Sequence, residues 1–289
     1  MDSGEGAVWR GILLVLAAVL AFALGDVATK YLTERWPVGF VLFVRYAVNV
    51  ALLLAIFLPG HGATLFRTRR TGLVLLRGAS LSAASILMGI GLRYMPVGEA
   101  VAIVYVAPLL VMIAAVPLLG ETVRPAGWIA AATGFLGVVL IAQPGGGLSP
   151  VGVGFVLANA VLTAVYHLMS RSLARTEQTL PMLVFTAVIG LAVFAAMLPW
   201  SLPARMPPPF DLAVLVALGG LATLGHFLFT AAYRLAPAST LSPFNYAHLL
   251  WAAGLGWLVF GHVPEPGAAI GIALVAIAGA LGAIATTRR

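Results

Sequence analysis

The sequence has no cysteine, a single lysine, and only 9 acidic side chains in 289 residues. Without cysteine it can hold neither a disulfide framework nor a thiolate metal site. It also lacks a Gly-rich phosphate loop, an HExxH helix and any carboxylate pair at metal-ligand spacing. The histidines at 167, 226 and 248 are too scattered in sequence to define a metal centre. Enzyme chemistry, a cofactor and a bound metal are therefore not expected. Charged residues make up 9% of the chain, against about 25% in a soluble domain.

Apolar residues dominate instead, at 62% of the chain, with a mean hydropathy of +1.07. A soluble core cannot hide that much apolar surface, so lipid must be the solvent for most of it. In hydrocarbon every backbone N–H and C=O has to be satisfied internally, which leaves helices or closed barrels. Barrel strands alternate apolar and polar over about ten residues. Runs such as Ile12–Ala28 and Leu212–Leu224 show no such alternation. The fold class is an all-α integral membrane protein. A net charge of +7 does not imply nucleic acid, because the basic residues sit in short clusters between apolar runs, where topology demands them. The expected partners are the lipid bilayer and a small-molecule substrate; a monomer is compatible with the sequence, which does not fix the oligomeric state.

Cutting at turn signals and charges gives ten candidate spans, roughly 11–31, 38–58, 71–92, 97–119, 125–142, 151–171, 180–199, 211–233, 239–260 and 266–286. Each approaches the ~20 residues that cross a ~30 Å hydrocarbon layer. The breaks are Trp36-Pro37, Pro59 to Gly62, Met95-Pro96, Gly120-Glu121, Pro144 to Gly147 and Pro207 to Pro209. On alternate sides the loops carry ten and four Lys or Arg, leaving out Arg45 and Arg77 inside spans. The richer side is expected in the cytoplasm, with both termini, in a cell inner membrane. Trp36 and Trp200 fall at expected outer boundaries. Arg10 ahead of an apolar run, with Ala21-Phe22-Ala23 resembling a cleavage site, imitates a leader. The first span has an internal counterpart, which argues that it is retained.

That counterpart belongs to a repeat at an offset of 141 residues. Pro96 falls on Pro237, Tyr105 on Tyr246, Gly120 on Gly261, Pro125 on Pro266, Arg93 on Arg234 and Lys30 on Arg171. Residues 1–145 and 146–289 are the two expected halves. Five spans in each, an odd number, require the second half to be inverted across the membrane, and inverted repeats place a substrate site near the midplane. A duplicated scaffold that transports nothing is the alternative from another class.

Tyr94 and Pro96 opening the fourth span, Pro108 within it and Gly120-Glu121 closing it resemble the EamA branch of the drug/metabolite transporter superfamily. Pro37 to Arg45 is similar to that family's second span. Gly261-His262 departs from the family's Gly-Glu pattern and puts a structural role for that Glu in doubt at His262. Within the superfamily the chain most resembles the YddG-type exporters of aromatic and other neutral amino acids. The resemblance implies ten helices as two inverted five-helix repeats and export by alternating access.

Polar residues within the spans mark the candidate site, because their cost in lipid is normally tolerated for function. Asn159, Thr163, Tyr166 and Ser170 share one helical face with His167 beside them. Ser82 and Ser85 correspond through the offset to Thr223 and His226. Asn245, Tyr246, His248 and Trp251 cluster near Pro243, and the counterpart of Tyr246 is Tyr105. Each group can line a cavity or simply bond between or within helices. Asp26 and Lys30, at i,i+4 spacing, are candidates for an ion pair that couples or gates. Glu99 is expected to be solvated and Arg45 structural. Gly267-xxx-Gly271 suits close packing within or between chains. The reading is an exporter of small neutral metabolites, including aromatic amino acids. Its rivals are a proton-coupled exporter of cationic drugs, which would depend on Asp26, and a nucleotide-sugar carrier, which would need basic residues that these neutral stripes lack.

Overall fold

The computed structural model describes residues 2–119, 125–142, 147–173, 176–235 and 241–287. The expected turns at 120–121 and 144–146, Pro237 and Arg175 lie outside them. The described chain is helical: α1 Asp2–Thr33, α2 Val38–His61, α3 Thr71–Tyr94, α4 Val97–Val104, α5 Ala107–Leu119, α6 Pro125–Ala142, α7 Pro150–Leu173, α8 Thr179–Ser201, α9 Pro209–Leu235, α10 Ala247–Phe260 and α11 Pro266–Thr287. Short 3-10 turns occupy Gly62–Phe66 and Ser242–Tyr246.

Among the described residues, seven helical stretches are long and apolar enough to cross a membrane, and Trp128–Ala142 and Pro266–Gly279 are shorter apolar helices. The chain is a multi-pass helical membrane protein. The count of ten is not reached on length alone. One reason is local: the 14 residues of α10 follow a 3-10 turn rather than continuing a long helix. At about 1.5 Å per residue they fall short of the hydrocarbon thickness.

Proline and glycine set the element boundaries as their backbone chemistry requires. Pro37 and Pro96 stand extended immediately before α2 and α4, where a missing N–H costs nothing. Gly62 and Gly261, at φ 53° and 69°, end α2 and α10 in a backbone region that side-chain-bearing residues avoid. Pro108 cannot donate to the carbonyl of Val104, and α4 stops there. A tight turn follows, with Val106 N–H donating to Ile103 O at 3.0 Å, before α5 begins. Pro243 sits at the start of the equivalent 3-10 turn before α10.

The packing is two-fold in pattern. α6 lies on α11, α2 on α8, and α4 on α10. The pair α1–α9 has its counterpart in α3–α7, α2–α9 in α3–α8, and α1–α10 in α4–α7. Glycines allow the closest of these approaches. A Cβ on Gly271 would lie 2.6 Å from the carbonyl oxygen of Gly137 on α6, so the α11 glycine packs within the chain. A Cβ on Gly219 of α9 would lie 2.9 Å from the carbonyl oxygen of Arg45, which holds α2 against α9.

Candidate functional site

A cavity of about 660 Å³ lies between α1, α2, α3, α7, α8 and α9, with Val104 and His248 closing its deep end. Its walls follow α2 from Arg45 to His61 and α9 from Leu218 to Arg234, and reach α8 at Leu180. It thus runs from mid-bundle to one end, where His61 and Arg234 are exposed. A smaller pocket of about 270 Å³, lined by Lys30, Tyr94, Glu99, Phe260 and His262 among others, sits toward the opposite end.

The bundle is tied shut at that opposite end. Lys30 Nζ donates to the carbonyls of Leu92 and Met95 at 2.7 and 3.3 Å, pairs with Glu34 at 2.9 Å, and lies 5.4 Å from the Phe260 ring. The expected Asp26–Lys30 pair does not form. Lys30 has carboxylates four residues away on both sides, and it takes the one at the helix end, where the α3 carbonyls also gather. Asp211 accepts from Tyr31 at 3.0 Å and from Trp36 Nε1 at 2.8 Å. Trp36 is therefore buried and bonded, not a lipid-facing anchor, whereas Trp200 is 86% exposed. Glu99, expected to be solvated, is buried at 2% exposure and lies 2.8 Å from His262 Nε2. The departure from the family pattern at His262 thus supplies a partner for a carboxylate on another helix.

The sequence-selected residues divide by location. Asp26, Ser85, Tyr166, His167, His226 and His248 line the cavity, with Thr163 and Thr230. Asp26 Oδ2 lies 3.1 Å from His248 Nε2 inside the cavity, a close approach of α1 to α10 that lacks hydrogen-bond geometry. Tyr105 and Tyr246 stand just beyond its wall. Their rings are 5.1 Å apart, the Tyr105 hydroxyl donates to Asn245 O at 2.7 Å, and His248 is 5.8 Å from Tyr105. Asn159 is buried and donates to Ala84 O at 2.7 Å, tying α7 to α3. Ser82 donates to its own helix at Gly78 O. Neither reaches the cavity. Trp251, 41% exposed, is absent from its wall as well.

Sequence reasoning passed over four residues that shape the site. Arg45, expected to be structural, lines the cavity, and the neutral character expected of its walls does not hold. Asn49 Nδ2 donates to Thr223 Oγ1 at 2.9 Å across the wall. Tyr46 shares a 3.0 Å hydrogen bond with Ser85. Arg77, set aside as a residue within a span, is buried behind Tyr166 and donates to Tyr166 Oη (2.5 Å), Ser170 Oγ (2.6 Å), Thr186 Oγ1 (2.6 Å) and Met182 O (3.2 Å). The available signal was that both arginines lie far from the ends of apolar spans, where charge is costly. Among the described residues no group of three His, Asp or Glu is placed to hold a metal ion.

Helix pairs that interchange between two halves, around a cavity with polar groups set in a largely apolar wall and one end tied shut, define a membrane transporter architecture. The sequence profile of the EamA-like transporter family matches residues 9–143 and again 150–284, and the chain belongs to that family. It is 30% identical over 268 residues to a riboflavin transporter of Brucella anthropi, covering 89% of this chain and 93% of that one. An S-adenosylmethionine uptake transporter of Rickettsia prowazekii is 26% identical, with 92% and 90% covered. A pseudopaline exporter of Pseudomonas aeruginosa is 24% identical, with 93% and 94% covered. A solved crystal structure shares the fold at a TM-score of 0.65 and 22% identity, covering 98% of both chains. The family's members are transporters, not enzymes. These relatives are named for riboflavin, S-adenosylmethionine and pseudopaline rather than for aromatic amino acids.

Proposed function

We propose that this chain is a secondary transporter of the bacterial inner membrane that carries a small, ring-bearing organic solute by alternating access through the central cavity. The observation that carries the reading is the 660 Å³ cavity itself, in which aromatic rings stand beside hydrogen-bonding groups at the junction of interchanging helices. Such a wall suits an amphipathic ligand of modest size. In this reading α6, the 242–260 segment and α11 complete ten crossings, residues 1–145 and 146–289 are inverted halves, and both termini are cytoplasmic. The charge count then places the open end of the cavity toward the cytoplasm.

The substrate reading begins from amino acids, aromatic ones included, moving outward. Phe22, Tyr166 and the neighbouring histidines could stack on such a side chain. A specific observation favours a second, larger solute: the relative named as a riboflavin transporter is 30% identical along nearly the whole chain. The proton-coupled cation exporter is disfavoured, because among the described residues Asp26 is the one carboxylate on a cavity wall that also carries Arg45 and Arg234.

Counterflow into proteoliposomes separates these readings. Labelled phenylalanine, threonine, riboflavin and a cationic dye would be offered to vesicles preloaded with unlabelled competitor, with and without a pH gradient. Gradient-independent exchange of phenylalanine or riboflavin is the expected result. Dye flux that demands the pH gradient would overturn the proposal and move Asp26 to the centre of the mechanism.

A further inference from the structure

We infer that the cavity recognises an organic anion, a carboxylate or phosphate carried on a ring-bearing body, and that Arg45 receives it. The inference rests on the central cavity being the transport site and adds the charge of its occupant.

Arg45 is the eighth residue of the 24-residue α2, well inside an apolar span. Among the described residues its guanidinium has no hydrogen-bond partner and no carboxylate beside it; its one contact of note is the Tyr46 ring at 5.7 Å. A cation in that position costs several kcal/mol unless something compensates it. The site is also built to hold it there. The 2.9 Å separation between the Arg45 carbonyl and a virtual Cβ at Gly219 fixes the α2 backbone against α9, so the side chain starts from a rigid point.

The surrounding field does not neutralise that charge. Arg77, behind Tyr166, spends its donors on two hydroxyls, one phenol and one carbonyl, all neutral acceptors. Its positive charge is therefore held by dipoles alone and projects toward the same cavity. Arg234 stands at the mouth. Asp26 is the only carboxylate on the wall among the described residues, and it lies 3.1 Å from His248 Nε2 without forming a hydrogen bond to it. Arg45 and Arg234 on the wall, with Arg77 behind it, face a single acid among the described residues and make a cationic funnel closed by low-dielectric walls, which concentrates anions. A guanidinium with a free fork is also the side chain best matched to a carboxylate or phosphate.

The test uses matched pairs that differ only in the anionic group: 3-phenylpropionate against 3-phenylpropionamide, and flavin mononucleotide against riboflavin. Thermal stabilisation of the purified, detergent-solubilised full chain is titrated with each. The anionic member of at least one pair should act at roughly tenfold lower concentration. That advantage should shrink to within about twofold in Arg45→Gln and persist only in part in Arg45→Lys, which keeps the charge but not the planar fork. Equal action of both members of both pairs in the unaltered protein would overturn the inference, and this comparison needs no variant. So would an advantage that survives in Arg45→Gln. Thr230→Trp, which fills the cavity mouth, separates this failure from that of the transport reading. Undiminished binding with the mouth filled would mean that the cavity is not the site at all, whereas mouth-sensitive binding without charge preference would sink only the anion.

Discussion

The ring of Tyr105 lies 5.1 Å from the ring of Tyr246, its counterpart in the other repeat, and the Tyr105 hydroxyl donates to the Asn245 carbonyl at 2.7 Å. Two residues related by the repeat can touch only where the two halves meet. Both stand where their spans break: Tyr105 at the end of α4 and Tyr246 at the end of the 3-10 turn before α10. The two broken segments therefore share a joint beside the deep end of the cavity, and a rocking motion of the halves would have to pass through it.

Tyr105→Phe leaves the ring pair in place and withdraws one hydrogen bond from the Asn245 carbonyl. The expected cost is about 1 kcal/mol of stability. Counterflow should slow as well, because the contact lies at the joint between the two halves. Differential scanning of the purified variant beside its counterflow rate checks both parts. An unchanged melting temperature with unchanged flux would show the contact to be incidental.

Arg77 joins α3 to α7 and α8 through four hydrogen bonds. Arg77→Met is of similar length and uncharged, but it strands Tyr166, Ser170 and Thr186 without their donor. A loss of about 3 kcal/mol is expected. Arg77→Lys should recover little of it, since one ammonium cannot reproduce the planar fork. Thermal denaturation of the three proteins side by side measures this. Full recovery in the lysine variant would contradict the account.

Gly271 and Gly137 meet backbone to backbone across α6 and α11. Gly271→Ala places a methyl 2.6 Å from the Gly137 carbonyl oxygen, well inside van der Waals contact, and the helices must part. A destabilisation of about 1–3 kcal/mol is expected. Gly254→Ala on α10 meets nothing within 4 Å and serves as the control. Equal melting temperatures for the two variants would show that the α6–α11 contact is looser than described.

Much of the fold was legible in the sequence, and the reasons are physical. Hydropathy and the proline or glycine breaks fix where helices start and stop, because those residues act through their own backbone. The 141-residue offset aligned Tyr105 with Tyr246 before any contact between them was known. The site was less legible. Ser82 and Ser85 both bond back to their own helix, yet only Ser85 reaches the cavity, and spacing alone cannot separate them. The Asp26–His248 contact joins residues 222 positions apart, so no local pattern announces it. Spacing does not separate Arg45, which lines the cavity, from Arg77, which four partners brace, because environment rather than position decides how a buried charge is held.

The lysine at the closed end offers a test of gating. Lys30 holds the carbonyls of Leu92 at the end of α3 and of Met95 just beyond it, and pairs with Glu34, so Lys30→Ala removes the main tie between α1 and the end of α3 there. The native chain has no cysteine, which gives single-cysteine labelling a clean background. A cysteine at Gly256, where a Cβ finds its nearest neighbour at an ordinary 3.7 Å, reports on the smaller pocket. Its labelling by an impermeant maleimide should rise several-fold in the Lys30→Ala background. No change would mean that Lys30 anchors the helix end without gating it.

The central claim is that solute crosses the membrane through the cavity bounded by α1, α2, α7, α8 and α9. It is tested most directly by counterflow of labelled riboflavin and phenylalanine in proteoliposomes carrying either the unaltered protein or Thr230→Trp. Thr230 lies at the mouth, and its hydroxyl only returns to the His226 carbonyl of its own helix, so the substitution fills space without breaking a tertiary bond. The account predicts exchange with the unaltered protein and its loss in the tryptophan variant, at equal insertion and melting temperature. Exchange that continues at the same rate with the mouth filled would contradict it.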